Sequence, residues 1–139
     1  MNYLLDTCVL VEFARSKPEP KVIRWMESMA HEKLYVSVIS VGEIQRSIER
    51  LKDSERKDQL LSWVYHGLVE RLKDQILPLD VVTLTLWGSL TAWKDGSGQP
   101  MGTLESLIAA SALRYNLTIA TRYVQDYFRS GAQTVNPWE

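Results

Sequence analysis

Thr103-Leu104-Glu105-Ser106-Leu107-Ile108-Ala109-Ala110-Ser111-Ala112-Leu113-Arg114-Tyr115, then Asn116, then Leu117-Thr118-Ile119-Ala120-Thr121-Arg122, is the stretch that decides the fold. Its first segment is strongly apolar, which predicts a helix buried within the molecule. The run Leu117–Ala120 is short and apolar, as a strand at the centre of a parallel sheet is, because such a strand is covered on both faces.

The same alternation extends outward in both directions. Asn2 to Leu5 reads as a first strand ending at Asp6, followed by a helix from about Thr7 to Ala14. Pro18 and Pro20 break the chain, and Val22, Ile23, Met26 and Met29 then recur at helical spacing. Leu34 to Val38 predicts a second strand. Ser40 opens a helix with Val41, Ile44, Ile48 and Leu51 on its inner stripe. After a charged turn over Lys52–Asp58, another amphipathic helix carries Leu60, Leu61, Val64, Leu68 and Leu72. Ile76–Leu79 is a short strand that tolerates Pro78 only at a sheet edge or a strand end. A helix over Val81–Lys94 precedes the loop Asp95-Gly96-Ser97-Gly98-Gln99-Pro100, and a short helix over Val124–Arg129 precedes a closing strand at Thr134-Val135-Asn136. Short apolar runs alternating with longer helical patterns predict an α/β fold, a parallel sheet with helices on its faces.

The bulk composition is compatible with one such domain spanning 1–139. The chain has 139 residues, 45% apolar and 24% charged, with a net charge of −1. That balance does not advertise a nucleic-acid binder, so any phosphate contact must be local or carried by a metal. The single Cys8 permits neither an intrachain disulfide nor a cysteine zinc site, which fits a reducing cytoplasmic compartment. The N-terminus lacks a basic segment followed by an apolar core, and no run is long enough to span a bilayer. Gly96-x-Gly98 is followed by Met101 where a dinucleotide fingerprint needs glycine, and no P-loop is present.

In a doubly wound sheet, sites form beyond the carboxyl ends of the strands. Asp6 ends the first strand. Glu43 lies in the first turn after the second. Glu105 lies in the first turn of the helix preceding the Leu117 strand, and Asp126 lies just past that strand. Two carboxylates about 4 Å apart repel by roughly 4 kcal/mol at an effective dielectric near 20, so convergence of all four calls for a cation. Carboxylates and water suit Mg²⁺ or Mn²⁺, ions that activate water for attack on a phosphodiester. Each acid also has an ordinary structural role to fill: Glu43 in a Ser40-x-x-Glu43 capping box, Glu105 at a helix dipole, Asp6 as an N-cap, Asp126 as a solvated residue. His31 and His66 lack metal-site spacing, and Ser37, Ser40 and Cys8 have no base beside them for covalent catalysis.

These residues together resemble the PIN-domain nucleases, and most closely the VapC toxins of VapBC toxin–antitoxin modules. The likeness runs through Tyr3-Leu4-Leu5-Asp6-Thr7-Cys8-Val9-Leu10, Val38-Ile39-Ser40-Val41-Gly42-Glu43-Ile44, Trp87-Gly88, Leu107-Ile108-Ala109-Ala110, Thr121-Arg122 and Val135-Asn136-Pro137-Trp138. The resemblance implies a three-layer α/β/α domain and an Mg²⁺- or Mn²⁺-dependent endoribonuclease, with Asp6, Glu43, Glu105 and Asp126 as its acidic, metal-holding site. It implies Thr7 and Thr121 as polar supports, and Arg122 as a phosphate contact or a neutraliser of the cluster. It further implies transfer RNA as a common target, a VapB-type antitoxin, homodimers and toxin–antitoxin hetero-oligomers, and operator DNA bound only through the antitoxin.

One departure opens an alternative. The family's third acid is usually aspartate, in Pro-x-x-Asp-x-x-Ile-Ala-Ala; here Glu105 takes that place and Gly102 the proline's. A shift of about 1 Å in a catalytic group costs roughly a hundredfold in rate. A weakened domain that binds RNA or antitoxin without cutting is therefore a second expectation, and a related phosphoryl hydrolase acting on DNA or a small phosphate ester is a third. Tyr123 also stands where the family often has asparagine.

Overall fold

Leu4 and Leu5 are adjacent, both buried, and they face different layers. The computed structural model describes residues 1–139. In it, Leu5 joins an apolar cluster with Val9, Val22, Val36, Ile44 and Val64, while Leu4 joins another with Ile108, Ala109, Ala112 and Tyr127. Ile119 and Ala120 divide in the same way. This two-residue alternation on strands buried from both sides makes the molecule three-layered.

The sheet has five strands, β1 (Tyr3–Leu5), β2 (Leu34–Ser37), β3 (Ile76–Leu77), β4 (Thr118–Ala120) and β5 (Thr134–Val135). All neighbours are parallel, in the order β3-β2-β1-β4-β5. The chain therefore moves outward from β1 to β2 and β3, then returns to β1's other side as β4 and β5. The crossover reverses between β1 and β4, and the crevice beyond their carboxyl ends is where such sheets place their sites. Pro78 follows edge strand β3, the position its missing N–H tolerates.

The helices are α1 (Thr7–Glu12), α2 (Pro20–Glu27), α3 (Val38–Glu49), α4 (Glu55–Ser62), α5 (Val81–Gly96), α6 (Thr103–Tyr115) and α7 (Val124–Tyr127). Pro20 takes the first turn of α2, where its missing N–H costs nothing. Helix α6 has the predicted bounds, and Asn116 ends it in the left-handed conformation (φ 54°, ψ 50°) that asparagine tolerates. Its buried face is Ser106, Ile108, Ala109, Ala110, Ser111 and Ala112, small enough for close packing on the sheet.

Four expectations need correction. Helix α3 begins at Val38, not Ser40: the Ser37 hydroxyl accepts the Ile39 amide at 3.1 Å and is the N-cap, so Ser40 and Glu43 form no capping box. Leu51 lies past the end of α3 and is 47% exposed, outside the inner stripe. Beyond α4 the chain widens into a π-helical segment, Trp63–Val69, in which the Glu70 amide reaches five residues back to the Tyr65 carbonyl at 2.9 Å. Gly67 sits within it, and a Cβ there would overlap Trp63 Cδ1 and stand 2.9 Å from Nε1. Finally, α5 continues through Gly96, and Gly98 (φ 75°) makes the turn out of it.

Candidate active site

The end of β1 and the start of α1 meet at Asp6, whose extended backbone (φ −69°, ψ 160°) makes it the N-cap. One carboxylate oxygen, Oδ1, accepts the Thr7 amide at 2.9 Å. The other, Oδ2, accepts the Thr121 hydroxyl at 2.8 Å across the neighbouring strand end. Thr121 is wholly buried, and its oxygen accepts the Tyr123 amide at 3.0 Å, which leaves its proton for Asp6. On the other side, the Thr7 hydroxyl donates to Glu43 Oε1 at 3.0 Å and lies 3.1 Å from the buried Ser40 hydroxyl. Elements that follow β1, β2 and β4 thus converge through two threonines, because each of these strands ends at the same edge of the sheet.

Asp6, Glu43, Glu105 and Asp126 all line one cleft of about 330 Å³, together with Thr7 and Tyr127 and with no lysine, arginine or histidine. Their placements differ. Asp6 is buried, Glu43 and Glu105 are half-buried, and Asp126 is exposed at the rim. Burial raises the Asp6 carboxyl above its ordinary range, with the Glu105 charge adding to it, against hydrogen bonds from Thr121, Thr7 and Tyr127. Glu43 is raised for the same reasons: burial first, then the charges of Asp6 and Glu105, against the Thr7 hydroxyl. These three acids therefore feel one another, and nothing cationic lines the cleft to relieve them.

Arg122 does not neutralise the cluster. It is exposed, its guanidinium lies 5.1 Å from the Trp138 ring centre, and the carboxylate that feels its charge is Glu12. Its backbone amide instead donates to Cys8 Sγ at 3.5 Å. The Cys8 thiol, 3.7 Å from the Thr121 hydroxyl, is pushed up by burial and by Asp6, which leaves it a poor nucleophile. His31 and His66 are exposed and lie outside the cleft.

Tyr127 belongs to the site and was not singled out from the sequence; Ser40, read there as a helix cap, instead meets the Thr7 hydroxyl. Tyr127 is 2% exposed and lines the cleft beside Asp6, whose carboxyl it helps to hold down. Burial, followed by the Asp6 charge, raises its phenol, so it stays a proton donor. No local spacing marks it; only its position beside Asp126, on a helix packed under the cleft, could have drawn notice.

An all-oxygen, carboxylate-rich donor set without a counter-cation is the chemistry that hard divalent cations take. Asp6, Glu43 and Glu105, with Asp126 at the rim, are the side chains that could hold one. In the present rotamers no three acids gather around a common point. The donor chemistry fits a divalent cation, and side-chain movement must complete the convergence.

Known proteins resemble the chain over nearly its whole length. The chain is 32% identical over 136 residues to the plasmid stability protein StbB of Pseudomonas syringae pv. tomato, covering 98% of each. It is 28% identical over 135 residues to toxin FitB of Neisseria gonorrhoeae, covering 97% of each, and 27% identical to VapC ribonuclease Y4jK of Sinorhizobium fredii, covering 98% of this chain and 97% of that one. The crystal structure of FitAcB from N. gonorrhoeae superposes with a TM-score of 0.91 at 28% identity, covering 99% of both chains. With the PIN domain model matching residues 3–122, across both strand ends and the acids between them, the chain belongs to the PIN-domain family.

Proposed function

We propose that this chain is the toxin of a toxin–antitoxin pair and a metal-dependent endoribonuclease. The observation that supports the reading is the Thr121–Asp6–Thr7–Glu43 arrangement, which holds two raised carboxyls at the floor of a cleft lined by two more acids and no base. Mg²⁺ or Mn²⁺ bound there would supply an activated water and charge stabilisation of the leaving oxygen. The chain's own part is positional. Thr121 and the Thr7 amide fix both oxygens of Asp6, Thr7 aims Glu43, and Tyr127 keeps a protonated phenol in the same cleft. Glu105 and Asp126 bound the entrance.

For the RNA, a broader groove adjoins the acids and shares Glu105 and Asp126 with the cleft. Trp93 and Phe128, 64% and 79% exposed, stand along it with Lys94 and Arg129, the latter pair able to meet phosphates while the rings stack on bases. Transfer RNA is the proposed target. The antitoxin is proposed to cover the groove between α1, α3 and α4, where Val11, Ile44, Ile48, Leu60 and Trp63 meet Arg15 and Arg56. No helix is long and apolar enough to cross a membrane, and a cytoplasmic site of action is part of the proposal.

The second reading, a binding module without cutting, draws on the incomplete gathering of the acids. One experiment separates the two. The antitoxin-free chain is incubated with total transfer RNA and Mn²⁺ or Mg²⁺, beside Asp6→Ala and Glu105→Asp. Cutting by the parent that EDTA and Asp6→Ala abolish supports the nuclease. Cutting only by Glu105→Asp, or by none, supports the binding module.

A further inference from the structure

Gly102 is the N-cap of α6, with φ −59° and ψ 148°. Any residue adopts that conformation, and proline's ring matches its φ, so the backbone gives no reason for glycine. The space does. A Cβ on residue 102 would overlap Oε2 of Glu105 and stand 3.1 Å from its Cδ. The Glu105 side chain therefore folds back over its own helix terminus, three residues toward the N-cap, into room that exists only because residue 102 has no side chain. Glu105 correspondingly lines both the acidic cleft and the neighbouring groove.

This placement bears on the acids. Glu105 shares the cleft with Asp6 and Glu43, so a carboxylate brought closer to them meets stronger like-charge repulsion. An aspartate, one methylene shorter, would not reach back over Gly102 in the same way.

We propose that Gly102 is a positioning residue: it gives the Glu105 carboxylate a resting place at the entrance of the cleft, folded back over the N-terminus of its own helix, from which Glu105 swings toward Asp6 and Glu43 when a divalent cation is bound. The inference rests on the metal reading above. It makes residues 102 and 105 a coupled pair, the glycine acting only through the glutamate. A resting pose that holds roughly nine-tenths of the molecules lowers apparent affinity about tenfold, and removing that pose restores it.

The test is Mn²⁺ titration by calorimetry of the EDTA-treated, dialysed full chain, as parent, Gly102→Ala, Glu105→Asp and the double variant. Thermal unfolding establishes that each is folded. Gly102→Pro is the second variant, since φ −59° accepts it. The expected result is Mn²⁺ binding about tenfold tighter in Gly102→Ala, the same sign in Gly102→Pro, and no added gain from Gly102→Ala once residue 105 is aspartate. Unchanged or weaker binding in folded Gly102→Ala overturns the inference, as does an equal change in both backgrounds. If the parent binds Mn²⁺ and Asp6→Asn abolishes that binding while Gly102→Ala changes nothing, the metal reading stands and this inference alone falls. No Mn²⁺ binding by the parent overturns both.

Discussion

Replacing Thr121 by valine keeps the shape of a wholly buried side chain and deletes one hydroxyl. Three hydrogen bonds go with it: the one to Asp6 Oδ2 at 2.8 Å, the one from the Tyr123 amide at 3.0 Å and the weak one with Cys8 Sγ at 3.7 Å. They differ in pH dependence. The Tyr123 amide loses its acceptor at every pH, and because Tyr123 is exposed water replaces it, for less than about 1 kcal/mol. The Asp6 bond is worth about 1.5–3 kcal/mol when the carboxylate is charged and about 0.5–1.5 kcal/mol when it is neutral. Thr121 is also the foremost of the groups that hold Asp6 down against burial, so its loss raises Asp6 further. A carboxyl raised in the folded state contributes stability that is fully present below its ordinary value, here 3.8, and lost as pH rises through the folded value. The variant must therefore fall further behind the parent as pH rises from that point. Urea unfolding in EDTA should show a loss of about 1–2 kcal/mol near pH 4 and about 2–4 kcal/mol near pH 8, with Thr121→Ser close to the parent. A loss of equal size at both pH values would refute the claim that Thr121 acts through the charge on Asp6.

Three further outcomes are expected. Asp126 stands exposed at the rim, so Asp126→Asn should slow transfer-RNA cutting by less than about tenfold, whereas Asp6→Asn, at the floor, should slow it by about a hundredfold or more in the same assay. Asp6 and Glu43 are both raised, so in EDTA the parent's melting temperature should climb as pH falls from about 8 toward the ordinary carboxylate range, and saturating Mn²⁺ at pH 8 should restore stability, by about 2.7 kcal/mol at a hundredfold excess over Kd. Gly67→Ala should cost about 1–3 kcal/mol in denaturant unfolding, because its Cβ would overlap the Trp63 indole, and the same substitution should cost less when made in a Trp63→Ala background.

The parallel sheet was legible because its signals are local and repeated. Apolar runs at Tyr3–Leu5 and Thr118–Ala120, and the uninterrupted helix Thr103–Tyr115, carry their burial in their own composition. Asp6 followed from a strand end, since the sheet's topology decides which ends share a crevice, whereas Thr121 came only with the family resemblance. The remainder depends on distances between segments. Ser37 and Ser40 are equally good caps on paper, and only the true end of β2 selects Ser37. Arg122 follows a site threonine yet points to Trp138, because the backbone amide rather than the guanidinium faces the site. Tyr127 reaches Asp6 from a helix more than a hundred residues away in sequence, which no spacing rule records. The π-helical segment at Trp63–Val69 keeps its apolar stripe, Val64 and Leu68, and so looks like an ordinary helix in sequence.

Asp6, Glu43 and Glu105 are proposed to hold a divalent cation between them. The most direct measurement is an anomalous difference map from crystals of the antitoxin-free chain soaked in MnCl₂. The expected result is a Mn²⁺ peak in the cleft within bonding distance of Asp6 and at least one of Glu43 and Glu105, with the Thr121–Asp6 and Thr7–Glu43 hydrogen bonds intact. A map with no peak in the cleft at saturating Mn²⁺, or a peak only at other surface acids, would contradict it.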